Sequence, residues 1–158
     1  MAESTAVEIE QKYNKLQQKY SLPLFKEIDN LFEISTFQHH SFLLRNIRRA
    51  ISERLDHYAK ILSEILQPEA NMKALQESSC FSEKEKQETF ILYKHFMHLI
   101  RLSQQFELLQ NEEKDVEYIN LIFQQWPTIN NQLLRLSEKL AISWQKQEQM
   151  AENIVYMG

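Results

Sequence analysis

Two groups of side chains in this chain of 158 residues have the types and spacing to do chemistry. His95 and His98 lie about one helical turn apart, and Glu88 precedes His95 on the same helical face. A carboxylate and two imidazoles on one helix are a ligand set of the kind helical bundles use for metals. The Glu-x-x-His pair of di-iron bundles is missing, because no histidine here has Glu or Asp three residues before it. On a helical wheel His98 falls in a polar arc and His95 between Leu102 and Phe106, ~60° away. Histidines so placed are more often structural, so a metal site at Glu88, His95 and His98 is the alternative reading.

The second group is basic. Four of the six arginines fall within ten residues, at Arg45, Arg48, Arg49 and Arg54. Arg45, Arg48 and Arg49 share one side of a helix, one turn apart, with Ser52 extending the row. The planar guanidinium fork suits carboxylates, phosphates and aromatic faces. Three occupants fit the row: neighbouring acids such as Glu53 and Asp56, an acidic protein surface, or nucleic acid.

Other chemistries lack their residues. The lone Cys80 allows no intrachain disulfide and no cysteine-based zinc site. The one glycine is Gly158, so phosphate-cradling loops and nucleophile elbows lose the residue they depend on. No Ser–His–Asp or Cys–His signature stands out; no catalytic residue and no cofactor is assigned, and the chain reads as a non-enzyme. A net charge of −4 argues against general binding to nucleic acid or anionic membranes. Residues 1–10 show no secretory pattern, and no apolar run approaches ~20 residues. The expected location is cytoplasmic.

The elements that must position these groups are helices. Ile9, Tyr13, Leu16 and Tyr20 recur at helical spacing behind a capping-box pattern at Thr5 and Glu8. Pro23 starts a short helix carrying Phe25, Ile28 and Phe32. A second capping pattern, Ser35 with Gln38, predicts a long helix over about 36–66. Its Leu44, Ile47, Ile51 repeat after eleven residues as Leu55, Tyr58, Leu62, the period of a nearly straight helix. Pro68 ends it, and a short helix and loop fill 68–81. Ser82 and Glu85 predict a second long helix over about 82–109, apolar around most of its circumference and so enclosed by neighbours. Asn111 to Asp115 suits a helix N-terminus. Val116, Ile119, Ile122 and Trp126 form one helix ended by Pro127, and Ile129, Leu133, Leu136, Leu140 and Trp144 form another that fades near Met150.

The expected architecture is a single-domain, all-α helical bundle spanning 1–158. Its C-terminal tail, 151–158, is expected to be mobile. In that tail Ile154, Val155, Tyr156 and Met157 are apolar without a helical home, which marks them with Arg45, Arg48 and Arg49 as partner-binding residues.

Phe42-Leu43-Leu44-Arg45, then Arg54, then Tyr58-Ala59-Lys60-Ile61-Leu62 resemble the arginine-bearing helix of the GINS replication-complex subunits. Phe81-Ser82-Glu83-Lys84-Glu85, followed by Tyr93, is similar to the opening of that family's next helix. The resemblance covers about residues 42–100 and implies a non-catalytic helical scaffold that assembles with sister subunits and supports a replicative helicase. The family's small β-rich domain has no counterpart here, since residues 111–150 read as helix. The expected function is protein–protein interaction or scaffolding, as an oligomer with itself or a sister subunit.

Overall fold

The structure is a computed structural model that describes residues 2–157. Met1, Gly158 and the side chains of Ala2, Tyr156 and Met157 lie outside the described residues. Among the described residues there are six α-helices, one 3-10 turn and no strand, so the chain is all-α. The helices are α1 (Ala2–Lys19), α2 (Phe25–Phe32), α3 (Leu43–Leu66), α4 (Met72–Ser79), α5 (Glu83–Leu109) and α6 (Glu112–Met157).

Capping chemistry sets several boundaries. At α5 the predicted box is complete: the Glu85 N–H donates to Ser82 Oγ at 3.2 Å, and the Ser82 N–H donates to Glu85 Oε1 at 3.1 Å. Asn71 caps α4 by accepting from the Ala74 N–H at 2.8 Å, and Asn111 opens α6 by accepting from the Glu113 N–H at 2.8 Å. Two other boxes fail. Thr5 lies inside α1, which already begins at Ala2. Ser35 does not start the long helix, because its N–H is taken by Asp29 Oδ1 at 2.7 Å, in a 3-10 turn over Ile34–Thr36. Such local side-chain bonds compete with helix formation, and α3 begins only at Leu43.

Pro127 does not end a helix either. It sits within α6, a single helix of 46 residues. An interior proline costs about 3 kcal/mol through its missing N–H and its ring. Burial of Ile122, Trp126 and Ile129 around it, at roughly 1.5–3 kcal/mol each, outweighs that cost.

The scarcity of glycine did not remove left-handed backbone. Glu33, Phe42 and Gln110 have φ of 53°, 49° and 50°. Glu33 closes α2 and Gln110 follows α5, places where glycine is common. Each side chain costs roughly 1–2 kcal/mol in that region.

Contacts gather the chain into two compact units, Met1–Tyr58 with His95–Gln125, and Ala59–Lys94 with Trp126–Gly158. The first is built on Ile9 and Tyr13 of α1, Ile47 and Ile51 of α3, Phe96 of α5 and Ile119 of α6, all fully buried. The Tyr13 hydroxyl donates to the Pro23 carbonyl at 2.8 Å, and the Tyr118 hydroxyl to the Leu99 carbonyl at 3.1 Å. Burial pushes both phenols up. In the second unit Leu62, Ile65, Ala74, Leu92 and Ile129 are buried, and the Ser78 hydroxyl donates to the Ile65 carbonyl at 2.7 Å.

Candidate interaction surfaces

The arginine row divides when α3 folds. Arg48 follows Ile47 into the interior of the first unit and is 1% exposed. Its Nε donates to Asp115 Oδ1 at 2.6 Å, and its Nη1 to the Ser103 carbonyl and hydroxyl at 2.8 and 2.7 Å. Its Nη2 donates to Glu107. Arg49, at the surface, forks onto the same Glu107 through Nε at 3.1 Å and through Nη2. Ser103 and Glu107 are one turn apart on α5, and Asp115 is in the first turn of α6, so two helices converge on the guanidinium that α3 carries.

The electrostatics follow from the geometry. Bonds from Arg49 and then Arg48 hold the Glu107 carboxyl down to about 2. Burial pushes the Asp115 carboxyl up, against the pull of Arg48. Beside this network lies an open groove of about 370 Å³, lined among others by Arg48, Arg49, Ser52, Glu53, Asp56 and Glu107. Its two cations are already answered by acids, and it offers no spare positive field.

Arg48 is therefore a core residue, its guanidinium bonded within the first unit. Arg49 is engaged by Glu107. Arg54 donates to the Leu31 carbonyl and lies over the Phe32 ring at 5.1 Å. Arg45 differs from these three: its guanidinium rests on the exposed Phe42 ring at 4.8 Å. Phe42, Ser103, Glu107 and Asp115 were not singled out as site residues from sequence. The buried pairing of Arg48 joins residues 67 positions apart, and no local pattern announces it.

The histidines do not assemble a metal centre with Glu88. His95 Nε2 lies 2.9 Å from Gln125 Oε1, and His98 and Glu88 are exposed. Among the described residues no group of three His, Cys, Asp or Glu is placed to hold a metal ion. Glu88 instead lines a groove of about 420 Å³ in the second unit with Phe81, Thr89, Arg135, Leu136 and Lys139. There Lys139 pairs with Glu85 and lies over the Phe81 ring at 5.0 Å, holding the Glu85 carboxyl down to about 2 with help from Ser82.

The C-terminal tail is helical through Met157. With α6 continuous, Trp126, Ile129, Leu133, Leu136, Leu140 and Ser143 recur at alternating spacings of three and four, the seam of a coiled-coil helix. Trp126, Ile129 and Ser143 are buried and the leucines half-buried. The same repeat continues as Gln147, Met150 and Ile154, but there it faces water. Met150 is 57%, Ile154 69% and Val155 78% exposed. The seam outruns the helices that cover it. The expected break at Pro127 hid this register, although the spacing from Ile129 to Leu140 already contained it.

No family model, curated protein or solved structure matches this chain. No helix among the described residues is long and apolar enough to cross a membrane.

Proposed function

We propose that this chain is a non-enzymatic helical scaffold that works by binding other proteins, as an oligomer with itself or with sister subunits. The observation that carries this reading is the end of α6, where Met150 and Ile154 continue a packed seam into water. An isolated helical segment of this length is marginal in water, and an amphipathic helix laid along the seam covers its apolar positions. Met157 is the next position of the repeat in the sequence, and Val155 and Tyr156 precede it. The GINS-like stretch at 42–100 gives the reading its direction, toward a subunit of a complex in DNA replication.

The test compares the wild-type chain with the double variant Met150→Lys, Ile154→Lys by light scattering and by co-purification from the native host. The wild type is expected to associate, and the variant to lose that association with an unchanged helical spectrum. A wild type that is strictly monomeric, and retains no protein that the variant loses, would sink the proposal.

A further inference from the structure

A second surface, on the first unit, carries an independent inference. Phe42 stands immediately before α3 with φ at 49°, a region costly for a bulky aromatic, and its side chain is 68% exposed. Burial of the ring therefore does little to offset the backbone cost. The two residues before Phe42 are tied down: Lys12 Nζ donates to the His40 carbonyl at 2.7 Å, and Asn46 Nδ2 to the Ser41 carbonyl at 2.9 Å. Over the ring lies the half-buried Arg45, which makes no ion pair within 4 Å among the described residues, although its charge is felt by Asp115, already bonded to Arg48. An aromatic and an arginine fixed together at a surface are the residue types that anchor protein interfaces.

We infer that Phe42 and Arg45 form a docking site for an acidic peptide segment carrying an aliphatic or aromatic anchor. The anchor covers the Phe42 ring, and a neighbouring carboxylate takes the Arg45 fork in a bidentate pair. Lys12 and Lys15 line a separate shallow groove with His40, two residues before Phe42, where Glu8 offsets part of their charge. A nucleic-acid strand fits less well. Phosphate binding needs several free cations, whereas Arg48 and Arg49 are engaged by Asp115 and Glu107, on a chain of net charge −4.

The inference rests on reading the chain as an interaction protein, but it shares no residue with the α6 surface. A random-peptide phage library is panned against the full chain, with the Phe42→Asn chain as counter-target. Asparagine tolerates left-handed backbone, so this variant is expected to melt at or above the wild-type temperature. Selected peptides are expected to be acidic with a Leu, Phe or Tyr. Their binding should weaken about tenfold or more with Phe42→Asn or Arg45→Glu and be untouched by Met150→Lys, Ile154→Lys. Failure of the α6 variant to lose a partner, with peptide binding intact, would remove the α6 surface and leave this one. No selected peptide, peptides that are not acidic, or equal binding to both anchor variants would overturn the inference. So would a labelled oligothymidine that binds more tightly than the peptides and is lost in the same variants, or a lowered melting temperature for Phe42→Asn.

Discussion

Arg48 donates from Nε to Asp115 Oδ1 at 2.6 Å, with both side chains withdrawn from solvent. Ser103 and Glu107 take further donors of the same guanidinium. Such a pair adds little net stability over an apolar one, but removing one partner strands a buried charge. Arg48→Ala and Asp115→Ala are each expected to lower unfolding free energy by about 3–5 kcal/mol. The combined Arg48→Met, Asp115→Leu variant should lose much less than the sum, and urea denaturation of the set gives the coupling directly.

The pH dependence has a definite sign. Glu107 is held down to about 2, below the ordinary carboxylate value. Its contribution is fully present above the unfolded value and is lost as pH falls from there through about 2. Asp115, pushed up by burial, works in the opposite sense. The wild type should therefore lose stability on acidification more steeply than Glu107→Gln, measured as unfolding free energy against pH. Parallel slopes would show that the Arg48–Arg49–Glu107 arrangement is not maintained in solution.

Glycine belongs at two positions where the chain does not use it. Gln110 and Glu33 hold left-handed backbone at helix ends. Gln110→Gly and Glu33→Gly relieve a side-chain clash of roughly 1–2 kcal/mol, offset in part by the larger unfolded-state freedom of glycine. A net gain of up to about 1 kcal/mol each is expected in thermal melts.

Pro127→Ala restores an N–H donor within α6. The substitution is expected to stabilise the chain by about 1–3 kcal/mol, raising the melting temperature without changing helical content. A gain of helical signal would mean that the proline breaks the helix in solution.

The helical class, the two long helices and the box at Ser82 and Glu85 were legible because each rests on spacing or on residues three positions apart. The start of α3 and the passage through Pro127 were not. In the first, Asp29 captures the Ser35 N–H from another element. In the second, burial of Trp126 and Ile129 overrides a local penalty. The arginine row shows the same limit. Sequence placed Arg45, Arg48 and Arg49 on one side of a helix, but only the arrival of Ser103, Glu107 and Asp115 separates a buried arginine from a surface one.

Both tryptophans, Trp126 and Trp144, belong to the second unit, whereas Tyr13, Tyr20, Tyr58 and Tyr118 belong to the first. Intrinsic indole emission therefore reports on one half of the molecule, and far-ultraviolet dichroism on both. Coincident melting curves from the two signals would make the halves a single cooperative body. Separated curves would resolve two transitions without any added label, and assign the fluorescent one to the half that carries the exposed end of α6.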